Sequence, residues 1–260
     1  MRSILVHAEP GPAGSIRIDS ALSLARMTGG HVTLLVDTPV TRYIAVDAMG
    51  GGTVAAEAIH EAVAEDDAFA RTIEGQVARG DVPCDIVRVE ADPIDALSDA
   101  ARLADVVVVA RGAVVAGDLP LSTRCPVLAV NAEEPLIFPI EKACVAWDGS
   151  AEAAHALRGA VPILAACGEV IVLTVEDAPA EFPATDALAY LSRHGVGAEL
   201  QVVQRIGSVE DTISRELELN QAQLLVMGAF SHSRLREFLF GGVTRHFLEQ
   251  AGGPALLLAH

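Results

Sequence analysis

Arg2–Gly11 reads RSILVHAEPG and Lys142–Ala151 reads KACVAWDGSA. Each is a short apolar run that ends in charge, proline or glycine and then gives way to an Ala-rich stretch. The same order repeats after both. Ser3–His7, Val32–Asp37, Cys84–Glu90, Asp105–Ala110 and Val127–Val130 are rich in Val, Leu and Ile. They alternate with stretches such as Ile18–Met27 and Ile94–Leu103, whose apolar residues fall three and four apart, the helical period. The pattern restarts with Cys144–Trp147, Val170–Glu176, Ala198–Val203, Leu224–Met227 and Ala255–Ala259, separated by helix-like Ala151–Ala166, Thr185–His194 and Val209–Leu219. The endings also match: CPVLAV at Cys125–Val130 and GPALLLA at Gly253–Ala259. Continuous apolar strands joined by helices predict an α/β fold with a parallel sheet covered on both faces. The repetition predicts two tandem five-stranded α/β/α domains related by internal duplication, over residues 1–131 and 142–260. Asn131–Glu141 (NAEEPLIFPIE) reads as a short extended linker, and residues 40–80 as an insertion containing a helix near Val54–Ala78. The terminal strands PVLAV and PALLLA are apolar edges unless paired. Pairing them with each other about a pseudo-twofold axis buries both.

Composition narrows the function. The 260 residues are 51% hydrophobic, enough for a sizeable core. Eighteen Lys and Arg against 35 Asp and Glu leave a formal net charge of −17. That argues against nucleic-acid binding, where affinity comes mainly from cationic contacts to phosphate, and against docking on anionic membranes. No apolar run reaches the roughly 18–20 residues of a membrane span. The opening MRSILVHAEPGPAG has too short an apolar run for a secretory signal. Cys84, Cys125, Cys144 and Cys167 are widely spaced, which predicts buried thiols in a reducing cytoplasm rather than disulfides or a metal site. Eight histidines show no metal-ligand spacing, and Trp147 reads as core.

The segment that carries chemistry is LLVMGAFSHSRLREFLFGGVTRHFL, Leu224–Leu248. A strand ends at Met227–Gly228, a polar loop follows, and Gly241-Gly242 precedes a helix near Val243 and Thr244. In open α/β sheets, ligands bind outside the carboxyl ends of strands. A helix opening after paired glycines offers unpaired N–H groups and a positive dipole end to an anion. Arg234, Arg236 and Arg245 lie nearby. WDGS at Trp147–Ser150 converges on the same edge, with Asp148 able to accept from a ribose hydroxyl or a base amine, or simply to cap the following helix. By contrast, Gly50–Gly52 follows no strand and precedes no Lys-Ser/Thr, so it fits no phosphate-loop pattern.

These residues resemble the universal stress protein (UspA-type) family, whose members have the adenine nucleotide α-hydrolase-like fold and occur also as tandem forms. The ATP-binding branch carries Gly, two residues, Gly, nine residues, Gly, then Ser or Thr. Gly228 matches the first glycine and Gly241 the third; Ser231 stands at the second and Gly242 at the hydroxyl position. The resemblance implies an ATP site, with ADP or AMP as alternatives and Mg²⁺ accompanying the phosphates, formed by Asp148, Val175, Met227, Gly228, Ser231, Gly241, Gly242, Val243 and Thr244. Val175 falls near the position whose backbone meets adenine. Ser231 carries a steric penalty of about 1 kcal/mol if that position needs positive φ. The hydroxyl missing at Gly242 is worth roughly 1.5–3 kcal/mol, and Thr244 offers a partial replacement. The first half lacks the glycine loop. His7-Ala8-Glu9 replaces the aspartate-bearing opening, so this half is expected to be degenerate and to supply the partner surface that a second subunit supplies in single-domain relatives. Competing readings are an interaction module with a decayed site, a slow ATPase, and a ligand held between the insertion and the first-half sheet. A homodimer is compatible with all of them.

Overall fold

Ten short runs rich in β-branched and aliphatic residues form the frame, because such side chains pack well on a pleated, buried surface. The structure, a computed structural model, describes residues 1–40, 52–176, 182–230, 242–250 and 252–260. The strands are β1 Ser3–His7, β2 His31–Asp37, β3 Cys84–Val89, β4 Val106–Ala110, β5 Val127–Val130, β6 Lys142–Ala146, β7 Glu169–Glu176, β8 Glu199–Gln204, β9 Leu224–Gly228 and β10 Ala255–Ala259. They make a single sheet in the order β3-β2-β1-β4-β5-β10-β9-β6-β7-β8. All neighbours within a half are parallel. The one antiparallel pair among the described strands is β5 with β10, joined through Leu256↔Ala129, Leu257↔Leu128 and Leu258↔Val127. Those six residues are at most 0% exposed, so the two apolar edges bury each other as the sequence predicts.

Helices cover both faces. On one lie α1 Pro12–Thr28, α2 Gly52–Val77, then α5 Ala151–Leu164 and α6 Ala184–Arg193; on the other lie α3 Pro93–Ala100 and α4 Val114–Ser122, then α7 Val209–Asn220 and α8 Gly242–Glu249. Alternating strand residues feed the two cores. Ile4, Val6 and Ala8 face the first layer, while Leu5 faces the second.

The internal repeat carries a register that differs by one from the side-by-side reading of the two openings. Ile4 pairs with Val106 and Ala143 with Leu224, the first residues of the fourth strand in each half. Gly11 and Ser150 are the residues that precede α1 and α5. Ile4, Val6 and Ala8 therefore correspond to Ala143, Val145 and Trp147, and all six sit in one core layer. Burial dictates this, since a one-residue slip would turn every apolar side chain to the wrong face. Glu9, not Ala8, then stands where Asp148 stands.

The linker differs from expectation too. Its LIFPI residues are too apolar to hang in water. Phe138 and Ile140 are buried. The Leu136 and Phe138 amides donate to the hydroxyls of Ser20 and Ser23 on α1, at 2.9 and 2.8 Å. It is a strap fastened over the first half. Of the insertion, Gly50 and Gly51 lie outside the described residues; its helix α2 packs Ala70 and Ile73 into the core.

Candidate functional site

In each half the strand order reverses between the first and fourth strands, β1/β4 and β6/β9. That is the switch point at which open α/β sheets receive ligands. In the second half Ser150 accepts from the Ala153 amide at 3.1 Å and caps α5. Asp148 is exposed just before it, and its Oδ1 accepts from the Ser150 amide at 2.9 Å and from the Ser150 hydroxyl at 2.6 Å. Gly149 between them has φ 79°, the left-handed region that glycine enters without penalty. Asp148 thus holds the turn that starts α5 while standing at the carboxyl end of β6. The neighbouring strand is level with it: the Trp147 amide donates to Leu173 O at 2.8 Å, and the Thr174 hydroxyl to Trp147 O at 3.2 Å. Val175, half-buried, follows on β7. Trp147 is core, 5% exposed, with its Nε1 donating to Phe182 O at 3.0 Å.

Gly228 closes β9 beside this turn. A Cβ there would lie 2.6 Å from Ala153 N and 2.8 Å from Glu152 C. Glycine is thus required by the first turn of α5 pressing on the strand end. Met227 is buried in the second core layer, so only its backbone faces the edge. The next residues, Ala229 and Phe230, are buried, and Phe230 has φ 62°. Ser231 and Gly241, with His232, Arg234 and Arg236, lie outside the described residues.

The chain returns at Gly242, the exposed start of α8. Val243 packs partly against the second core layer. Thr244 is 3% exposed, and its hydroxyl accepts from the Phe230 amide at 3.4 Å. That hydroxyl ties the helix start to the exit of β9. Arg245 pairs with Glu249 at 2.7 Å along the helix, and His246 meets Ser214 Oγ at 3.2 Å. Sequence reading also missed Glu210 in the first turn of α7, whose Oε1 lies 3.8 Å from where a Gly242 side chain would begin. A carboxylate therefore flanks the helix start.

The first half shows the same positions put to other use. By register, Glu9, Asp37 and Ala110 stand where Asp148, Val175 and Gly228 stand. Glu9 accepts from Arg17 Nη1 at 2.9 Å, and His7 Nε2 meets Asp37 Oδ1 at 2.7 Å. His7 and Arg17 are 3% and 1% exposed. These charges sit on the strand ends and α1, where no short-range pattern announces them. The fourth strand then passes directly through Arg111, Gly112 and Ala113 into α4, without the intervening loop.

Among the described residues no cluster of His, Cys, Asp or Glu is arranged to hold a metal ion, and no helix is long and apolar enough to cross a membrane. Four cysteines are free. Burial pushes the Cys125 and Cys144 thiols up to about 12, the environment of inert core thiols.

Two five-stranded parallel units fused edge to edge, with helices on both faces, define a tandem adenine nucleotide α-hydrolase-like fold. The chain aligns over 99% of its length with a universal stress protein from Archaeoglobus fulgidus (TM-score 0.67, 15% identity, 96% of that chain). It also aligns over its whole length with a putative universal stress protein from Pseudomonas aeruginosa (TM-score 0.63, 15% identity, 93% of that chain). At that identity the likeness is one of fold. Residues 139–258 match the family model described as "Universal stress protein family". A 60-residue segment is 38% identical to a universal stress protein of Synechocystis sp., covering 23% of this chain and 21% of that relative's length. Residues 139–258 thus carry a match to the universal stress protein family, and over the whole chain the likeness to solved universal stress proteins is one of fold.

Proposed function

We propose that the second half binds ATP, or a related adenine nucleotide, across the carboxyl ends of β7, β6 and β9, and that the protein acts as a ligand-responsive regulator in a stress response. The observation that supports this reading best is positional. Asp148, Val175 and Gly228 end three adjacent strands at the switch point, and α8 begins after the return from Phe230. In this reading the Asp148 carboxylate accepts from the ribose, and the Val175 backbone meets the adenine edge. The phosphates face the glycine loop, with Ser231 and Gly241, and the first amides of α8 at Gly242 and Val243. Charge complementarity then comes from main-chain N–H groups and the helix dipole rather than from lysine, which suits a chain of net charge −17. Mg²⁺ would accompany the triphosphate. The first half contributes no second nucleotide, because Arg17 and His7 already engage the carboxylates at the equivalent positions. The domain division at 131 and 142 follows the same logic of one working and one converted copy.

Equilibrium dialysis with ATP and Mg²⁺ tests the proposal. The expected result is saturable binding at one nucleotide per chain, weakened when Asp148 is replaced by Ala. Absence of binding at millimolar nucleotide would remove the reading and leave an interaction module of inherited shape.

A further inference from the structure

We infer that Arg111, at the end of β4 in the first half, is a positioning residue that sets the nucleotide affinity of the second half by fixing the far end of α8. The inference rests on the nucleotide reading above. Arg111 crosses the junction between halves. Its Nε and Nη2 both donate to Phe247 O, at 2.9 and 2.7 Å. Its Nη1 donates to Pro254 O at 2.6 Å and to Asn131 Oδ1 at 3.3 Å. Asn131 Nδ2 in turn donates to Gly253 O at 2.7 Å. Among the described residues no carboxylate pairs with this guanidinium, and burial lowers its pKa to about 10, still charged at neutral pH. What offsets the charge is the carbonyl end of α8. The last carbonyls of a helix lack intrahelical partners, and that end of the dipole favours a cation.

The position is specific to this half. In register, Arg111 corresponds to Ala229, so the copy without the glycine loop supplies the clamp for the copy that carries it. The mechanical link is short. α8 has eight residues, about 12 Å of helix. One end is tied by Thr244 Oγ1 to the Phe230 amide, at the entry of the loop. The other end is tied by Phe247 O to Arg111, with the Phe247 ring 0% exposed beneath it. Between these two ties α8 rests on the second core layer through Val243, Phe247 and Leu248 and meets Ser214 through His246, so releasing the Arg111 tie lets the short helix tilt on that packing. Loss of Arg111 therefore displaces the Gly242–Val243 amides that face the phosphates. By linkage, nucleotide bound at those amides tightens the junction in return, so the first half senses occupancy of the second.

Intact wild-type chain, Arg111→Met and Arg111→Lys are compared by equilibrium dialysis with ATP and Mg²⁺, alongside hydrogen exchange of the α8 amides and thermal melting. In Arg111→Met, Kd is expected to rise about tenfold, the range for losing hydrogen bonds to a charged group. Stoichiometry should stay at one, and exchange across residues 243–250 should quicken. The ammonium of Arg111→Lys keeps the cation and one carbonyl contact, which returns Kd to within about threefold of wild type. A merely structural arginine would lower the melting temperature and leave the Kd of folded protein unchanged; that result overturns the inference while leaving the nucleotide reading intact. Should wild type itself bind no ATP, both fall. If Arg111→Met does not fold, Asn131→Ala removes a single partner of the guanidinium and is expected to weaken ATP about twofold; an unchanged Kd there also overturns the inference.

Discussion

Replacing Gly228 by Ala adds one methyl group at the point where the two elements of the candidate site press together. The new Cβ would sit 2.6 Å from Ala153 N, 2.8 Å from Glu152 C and 2.9 Å from Glu152 Cβ. Two of these three atoms are helix backbone, so no flexible side-chain end can swing aside. Gly228 is not among the residues with positive φ, so alanine can adopt its backbone angles. Alone, that would favour the substitution by about 0.4–1 kcal/mol through the unfolded state. Overpacking of a tight interior costs about 1–3 kcal/mol, and contact with rigid backbone places this case at the upper end. The net expectation is a loss of about 2 kcal/mol. With an m-value of about 2 kcal/mol/M, the urea midpoint falls by about 1 M, and the melting temperature by about 4–8 °C. Relief requires β9 and α5 to separate, which moves Gly228 away from Asp148 and weakens nucleotide binding with it. Gly75, in the last turn of α2 with nothing within 4 Å of an added Cβ, is the control: Ala there should stabilise, by at most the roughly 0.5–1 kcal/mol of a helix interior. Chemical denaturation monitored at Trp147 reads both. If Gly228→Ala unfolds at the wild-type midpoint or above it, then α5 does not bear on β9 and the packing argument fails.

Glu210→Gln removes the carboxylate beside the start of α8 and should tighten ATP about threefold, while costing about 0.3–1 kcal/mol at the N-terminus of α7, where an acid is favourable; weaker ATP binding would show that the carboxylate assists, through Mg²⁺. Asp105 predicts an acid-side weakness. Burial draws its carboxyl upward, but the Ser3 and Arg2 amides outweigh that and hold it below the ordinary aspartate value. A depressed folded pKa contributes stability above the unfolded value, near 3.9, and loses it as pH falls through the folded one. Asp105→Asn should therefore be less stable at pH 7 and converge on wild type under strong acid, as read by urea midpoints across pH. An aromatic disulfide reagent at pH 7.5 should label Cys84 and Cys167 of the native chain well before Cys125 and Cys144, whose thiols near 12 leave fewer than roughly one molecule in 10⁴ ionised; all four should react in urea.

Much of this architecture was open to inspection in the amino-acid order. Strands such as Val127–Val130 and Ala255–Ala259 are so apolar that they must be buried on both faces, and their exposed edges have each other as the nearest solution. The stop at Gly228 and the turn at Asp148–Ser150 were equally visible, because turn and cap chemistry is local. What lay hidden is long-range. The true alignment of the halves puts Glu9 opposite Asp148, and it emerges only when strand pairing decides which face each residue takes. Arg17 and His7 occupy helix and strand positions like any other, and nothing beside them in the chain announces Glu9 and Asp37 as partners.

Periodicity and turn residues, properties of neighbours a few positions apart, determined the elements, their doubling and the edge at which a ligand could sit. Only the folded chain decided how the two copies differ at that edge. Arg111 meets Phe247 across 136 positions of sequence, Thr244 turns its hydroxyl to Phe230 rather than outward, and Gly228 yields to α5. Such contacts depend on where distant segments come to rest, and that is settled by packing of the whole sheet rather than by any stretch of it.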